Sequence, residues 1–441
     1  MSSEPFRKES YTVGGVTRTT TVEDVITSSG AIEKIPGVLE RYDARRVMVI
    51  SDRNTEKAAG EAVKEVLRSH SVPYSEYVFS ESPKPDAAGV GNAVLHYDPS
   101  ADFLIGVGSG VINDISKIAA TMRRQPYMIV ATAPSMDGYA SETSSMIRDG
   151  LKVSVPVKGP NVILGDVDVL RNAPERMMVS GLGDMLAKYV SITEWRISEI
   201  INGEPFSEEI ASLVRKALKK CVENRDGLLK RKPEAAEAVF EGLVIGGLGM
   251  AYAGCSRPAS GGEHYMSHLI DMRSLEFGTP EDFHGIQCAV MTLYTARIYE
   301  QIRSIRPDRE KALRFAASFD KEGWNETLRK LLKNSAAPMI ELEKKEKKYD
   351  VAMHEKRLET IISRWDDILK VIDEELPPSR EIEKIMESVG APMRLSDIGI
   401  DESIFPLLFE ASKDIRDKYV LSRLVWDLGI FDEIDYTKVI K

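Results

Sequence analysis

"DFLIGVGSGVINDISKIAA", residues 102–120, passes from a short apolar run through three glycines and a serine into a segment of helical periodicity. An apolar run of strand length, closed by a glycine-rich turn and followed by apolar positions at helical spacing, reads as strand, loop, helix. The same alternation recurs on both sides. "RRVMVIS" (45–51) reads as a buried strand before a helix over about 55–69, and "SEYVF" (75–79) as a second strand before a helix over 85–96. "YMIVAT" (127–132) follows a helix ending near Met122. Stacked βαβ units of this kind predict an α/β domain with a Rossmann-like, mostly parallel sheet.

Beyond that strand the texture changes. "APSMDGYASETSSM" (133–146) is loop-like, and "LKVSVPVKGPNVILGD" (151–166) reads as a Gly/Pro-punctuated, hairpin-like stretch returning to the first domain. From "PERMMVSGLGDMLAKYVSITEWRIS" (174–198) onward the periodicity is helical throughout. The natural cut falls between 168 and 174, giving an α/β domain over 1–172 and an all-α domain over 173–441. "ELEKKEKKYDVAMHEKRLETIISRWDDILKVIDEELPPSR" (341–380) looks like a charged insertion of about 339–380, a solvent-facing helix or helical hairpin serving as a solvated face or oligomer contact.

Bulk properties exclude whole classes of function. With 59 Lys+Arg against 69 Asp+Glu the net charge is −10, and no basic block marks a nucleic-acid footprint. An anionic substrate must therefore be met by a few local cations. Cys221, Cys255 and Cys288 have no CxxC spacing, which predicts reduced thiols and a cytoplasmic setting. The first residues lack the apolar core of a signal peptide, and no run reads as approaching the ~18 apolar residues of a spanning helix.

Two constellations carry chemistry. Gly106, Gly108, Ser109 and Gly110 sit where a strand meets a helix, so bent backbone and unpaired helix-start N–H groups suit the phosphates of a cofactor. The spacing is G-x-G-x-G rather than G-x-G-x-x-G, and a plain tight turn is the competing reading. Asp52, ending the first strand, suits either an adenosine ribose or the cap of the next helix. The second constellation is "SGGEHYMSHLIDM" (260–272), where His264 and His268 stand four residues apart on one helical face. His284 opens "FHGIQCAVMTLYTARIY" and Asp184 lies in "SGLGDMLAKYVSITEW". One carboxylate with two or three imidazoles suits zinc, nickel or iron, polarising an alcohol or carbonyl oxygen during hydride transfer. Structural histidines are the competing reading, and spacing alone does not choose among them.

Taken together, "GVGSGVINDISK", "APSMDG", "GLGDMLAKY", "SGGEHYMSH" and "DFHG" occur in the order found in the metal-dependent polyol dehydrogenase superfamily. That group includes glycerol dehydrogenase, iron-type alcohol dehydrogenases and dehydroquinate synthase. Within it the chain most resembles the sn-glycerol-1-phosphate dehydrogenases, through "SRPASGGEHYMSHLIDM" and "APSMDGYAS". The likeness covers residues 20–299 and, more loosely, "SREIEKIMESVGAPMRLSDIGI".

The resemblance implies a dehydroquinate synthase-like fold and interconversion of dihydroxyacetone phosphate and sn-glycerol 1-phosphate, as in phospholipid biosynthesis. It further implies NAD or NADP, one divalent metal with zinc ahead of nickel or iron, and a homo-oligomer. Asp184, His264 and His284 become the metal ligands, with His268 lining the site behind the ligands or handling a proton. Asp137 stands beside the substrate hydroxyls. The dinucleotide falls to Gly106, Gly108, Ser109, Gly110 and Asp114, with Thr132 touching the cofactor, although the family's Gly-Gly-Gly-Ser is altered here to Gly-Val-Gly-Ser-Gly. Arg257, Lys152 and Lys188 are the candidates for the substrate phosphate. A dehydrogenase of an unphosphorylated polyol, a cyclase similar to dehydroquinate synthase and a degenerate binding protein are the alternatives.

Overall fold

The computed structural model describes residues 7–441. Two short strands, β1 (Ser10–Val13) and β2 (Val16–Thr19), pair as an antiparallel hairpin. Next come β3 (Asp24–Ser28), β4 (Val47–Asp52), β5 (Tyr74–Phe79), β6 (Phe103–Gly108), β7 (Tyr127–Ala131), β8 (Thr143–Arg148), β9 (Leu151–Pro156) and β10 (Val162–Asp166). Every residue of β4, β6, β7 and β10 is buried, because each strand is covered on both faces.

These four, flanked by β3 and β5, make a six-stranded sheet in the order β3-β10-β7-β6-β4-β5, parallel throughout. The strand order reverses at β4. The chain steps outward to β5 and then crosses back to lay β6 on the other side. In a doubly wound sheet that reversal opens a crevice at the carboxyl ends of the two diverging strands.

The hairpin-like reading of 151–166 needs correcting. The hairpin pairs β8 with β9, from Thr143↔Pro156 to Arg148↔Leu151, whereas β10 is an interior parallel strand registered between β3 and β7. β10 has no alternation to betray its place, since both its faces are apolar.

The chain forms two compact units whose border differs from a cut at 172. One comprises the residues up to Met185 with Ser212–Cys255, and the other Leu186–Ala211 with Ser256–Lys441. Helix Glu175–Leu186 lies almost wholly in the sheet unit, where Gly181 packs directly on the Pro134 carbonyl. Helix Pro233–Ala253 also belongs there, packing on β1, β2 and β3, with its Phe240 ring over Gly165. Periodicity says that a helix has a buried face, not which domain buries it. This helix also corrects the expectation about apolar runs: among the described residues it alone is long and apolar enough to cross a membrane, and most of it is buried.

The other unit is helical among its described residues. The charged stretch forms Ala336–Glu346, Val351–Ser363 and Trp365–Glu375 rather than one solvent-facing helix. His354, Leu358, Ile361, Trp365, Ile368 and Ile372 point inward, and Arg357 pairs with buried Asp427 at 2.8 Å. Charged residues interleaved with these positions hide the apolar stripe from a reading by composition.

A Cβ at position 181 would strike a backbone oxygen that no rotamer change can move. Gly181→Ala should therefore destabilise the fold by about 1–3 kcal/mol or more, as overpacking does. Thermal and denaturant unfolding against wild type measure this, and an unchanged midpoint would refute the close approach.

Candidate active site

In the sheet unit the nucleotide-type residues gather at the strand reversal. Ile50 of β4 pairs with Gly106 of β6, so Asp52 and Gly108 each lie two residues further toward the carboxyl edge. The Thr132 N–H donates to the Gly108 carbonyl at 3.1 Å, bringing the end of β7 to the same edge. Helix Gly110–Arg123 starts immediately after Ser109, and no side chain caps it there. A Cβ on Gly108 would stand 2.5 Å from the Ile112 Cβ, so only glycine lets the helix begin this close to its strand. Uncapped N–H groups at a tightly seated helix start are suited to meet an anion.

Of the two sequence readings of Asp52, the helix cap is realised. Its Oδ1 accepts from Asn54 N–H at 2.8 Å and Thr55 N–H at 2.9 Å, which caps the following helix. Oδ2 takes no part in that cap. Asp114 pairs with Lys117 at 3.0 Å, and burial raises its carboxyl above the usual value.

Lys117 is fully buried and stitches the following loop in place, donating to Gly138 O, Ser141 Oγ and Thr143 O. Asn113 Nδ2 also donates to Gly138 O, and Tyr139 Oη to Ala133 O at 2.6 Å. The loop carrying Asp137 is thus clamped from both ends. Asp137 donates its N–H to Asp184 Oδ2 at 2.9 Å, and Ser180 Oγ donates to Ser135 O. Asp184 is completely buried on helix Glu175–Leu186.

The histidines gather within the helical unit. Helix Gly262–Phe277 carries His264, Ser267, His268 and Asp271 at helical spacing on one face. Helix His284–Ile302 packs against it and presents His284, Gln287 and Cys288. The His264 and His284 ring centroids are 4.9 Å apart, and those of His268 and His284 5.5 Å in a near-parallel stack. Gln287 Nε2 bridges the helices, donating to Ser267 Oγ and Asp271 Oδ1, both at 2.9 Å.

Both candidate ligands are anchored through Nδ1. His264 Nδ1 is 2.7 Å from Glu263 Oε1, and His284 Nδ1 is 3.2 Å from Ser267 Oγ. A carboxylate only accepts, so it fixes the proton of neutral His264 on Nδ1 and leaves the Nε2 lone pair as the ligand atom. His268 Nδ1 lies 3.7 Å from Asp271 Oδ2, which places a carboxylate behind it as well. Among the described residues of the helical unit, two sets have their ligand atoms within 4.8 Å of one another: His264, His284 and Cys288, and His268, Asp271 and His284. Imidazole with thiolate or carboxylate fits a borderline divalent metal.

Spacing arguments did not reach the residues behind the first set. Glu194 and Glu263 are buried side by side: Glu194 accepts the N–H groups of Gly262 and Leu421 at 2.8 Å, and Glu263 accepts that of Gly261 at 2.8 Å. One oxygen of each lies 2.6 Å from where a Gly261 Cβ would stand, so the first glycine of "SGGEH" makes room for both carboxyls. Burial first, and the Glu263 charge second, push the Glu194 carboxyl from 4.5 up to about 8. Burial also pushes the Cys288 thiol up, but the neighbouring His264 and His284 outweigh it and hold the thiol below its usual value.

The phosphate candidates fare differently. Lys188 is fully buried and donates to Ala259 O at 3.1 Å. Arg257 requires a correction: it is buried, gripping Glu204 through Nε at 2.8 Å and Nη2 at 2.5 Å, with Nη1 on Tyr419 O and Nη2 also on Ser198 Oγ. Its fork is used to hold the loop before the histidine helix. Lys152 lies on β9, in the hairpin rather than at the strand reversal.

Residues 26–174 match the family model of the iron-containing alcohol dehydrogenases. The chain belongs to this family, among the glycerol-1-phosphate dehydrogenases. It is 33% identical over 306 residues to glycerol-1-phosphate dehydrogenase (NAD(P)+) of Bacillus velezensis, covering 67% of this chain and 77% of that protein. It is 27% identical to the protein of the same name from Halalkalibacterium halodurans, over 89% of each. Among solved structures it resembles a probable glycerol dehydrogenase from Sinorhizobium meliloti 1021, at 18% identity and a TM-score of 0.59 over 96% of this chain and 99% of that one. It also resembles a 1,3-propanediol oxidoreductase, at 16% identity and a TM-score of 0.62 over 96% and 98%.

A carboxyl that binds its proton more tightly folded than unfolded weakens the fold as pH rises between its two pKa values. Glu194 should therefore contribute stability that declines from about pH 4.5 to about pH 8 and is level above that. Urea midpoints across this window, for metal-stripped wild type and Glu194→Gln, should show the steeper fall in wild type. Parallel slopes would contradict the raised carboxyl.

Proposed function

We propose that this chain is a metal-dependent, NAD(P)-linked dehydrogenase that interconverts dihydroxyacetone phosphate and sn-glycerol 1-phosphate. The observation that carries the reading is the pair His264 and His284, each anchored at Nδ1, on facing helices. Kinship to proteins named glycerol-1-phosphate dehydrogenase supplies the substrate.

In this reading His264 and His284 hold the metal, and Asp184 is the third ligand that the family resemblance implies. Zinc is the first choice, ahead of nickel and iron. When bound, the metal supplies Lewis acidity toward the substrate oxygen and the nicotinamide supplies or accepts hydride.

The chain's own residues do the rest. The uncapped helix start after Gly108, Ser109 and Gly110 receives the pyrophosphate, beside Gly106 and with Thr132 at the same edge. Asp52 offers Oδ2 to a ribose hydroxyl while Oδ1 keeps the helix cap. Asp114 acts on the dinucleotide through the pose of this helix, since its carboxyl is paired with Lys117. Asp137, held by its clamped loop, orients the substrate hydroxyls. His268, backed by Asp271, holds or passes the proton that the reacting oxygen exchanges. Lys188, buried and ammonium-tipped, is retained for the substrate phosphate. A cytoplasmic setting accords with three free cysteines, and a homo-oligomer remains part of the proposal.

The deciding experiment follows NADH and NADPH oxidation with dihydroxyacetone phosphate, using chelator-stripped protein refilled separately with zinc, nickel and iron. Turnover should require a metal and fall about 10³-fold or more in His264→Ala, because Lewis-acid stabilisation is worth several kcal/mol at 1.36 kcal/mol per tenfold. Turnover undiminished by chelation, or equal turnover with unphosphorylated dihydroxyacetone, would sink the assignment.

A further inference from the structure

We infer that Cys288 is an additional ligand to the metal held by His264 and His284, so that this chain presents a thiolate to its ion. The inference rests on the reading of those two histidines as ligands. Cys288 lies one helical turn after His284, so both side chains leave helix His284–Ile302 on the same face. It is completely buried, and its Sγ is 3.6 Å from His284 Nε2. Tetrahedral zinc with Zn–S of about 2.3 Å and Zn–N of about 2.05 Å separates sulfur from nitrogen by about 3.5 Å. The sulfur therefore already stands at the distance that a shared ion would set.

A buried cysteine most often packs as a small hydrophobe. Here its sulfur instead faces an imidazole, and its ligand atom falls within 4.8 Å of those of both His264 and His284. On binding, the Sγ–metal bond forms as the thiol proton leaves to solvent. A thiolate favours softer ions such as zinc, cobalt and cadmium over oxygen-seeking magnesium or manganese. Zinc and its analogues accept a fifth ligand, which keeps a position for the substrate oxygen.

The test loads chelator-stripped, full-length protein with cobalt(II) and records its absorption from the near ultraviolet through the visible. Wild type should show both the visible bands of bound cobalt and a near-ultraviolet thiolate-to-cobalt band. Cys288→Ser and Cys288→Ala should keep the former and lose the latter, and cadmium affinity in chelator competition should fall about 10-fold or more. Visible bands without the thiolate band in wild type, or a thiolate band that survives in Cys288→Ser, overturns the inference while leaving the histidine site standing. No cobalt bands at all overturns both readings. Matching melting curves of the metal-free variants certify that the fold is kept.

Discussion

Glu263 lies fully inside the helical unit, where a carboxyl group needs hydrogen-bond partners. Its Oε1 has two, the Gly261 N–H and His264 Nδ1, while Oε2 is buried without one, so the Oε1 contact is what pins the imidazole. With Nδ1 committed to Glu263, the ring orientation is fixed and Nε2 is the nitrogen turned away from the carboxyl. The constraint extends outward. Gly261 must lack a Cβ for Glu194 and Glu263 to close on the helix start, and Arg257 must hold Glu204 for the preceding loop to stay beneath them. The histidine face is continuous with a buried polar network.

The sheet unit reaches its own site by a different constraint. Burial on both faces forces the strands into a parallel sheet, and the order of that sheet reverses between β5 and β6 on either side of β4. The glycine loop follows β6, which a reading in chain order makes the third strand of the alternation. In the sheet it is the strand beside the reversal, so the loop occupies the place where doubly wound folds take nucleotides. Strand order is a property of long-range pairing, and no local window contains it.

The same distinction explains what could be read from the residues alone. The buried strands and the helix starts are local, and 45–51, 102–108 and 127–132 fall within a residue or two of β4, β6 and β7. The facing histidines were half readable: the four-residue spacing put His264 and His268 on one face, but their relation to His284 depends on how two helices pack. Arg257 was misread because a buried arginine and a phosphate-binding arginine look alike until the partner, Glu204, is located 53 residues away. Cys288 escaped because one cysteine in a helix has no pattern. Its meaning comes only from the imidazoles beside it. Helix Pro233–Ala253 went to the wrong domain since an all-round apolar helix carries no direction.

A chain of net charge −10 that takes a dinucleotide and a phosphate ester must attract anions without a basic surface. The structure spends its cations sparingly: Arg257 is neutralised by Glu204, and Lys117 is consumed by Asp114 and three loop oxygens. Backbone dipoles at an uncapped helix start can attract a phosphate without adding net charge. A cation buried as fully as Lys188 has a field that water and salt do not screen, unlike a surface cluster. A count of charges includes such buried cations but does not locate them. The acidic composition and an anionic substrate are therefore compatible, provided that recognition is done by a few desolvated donors rather than by the field of the whole molecule.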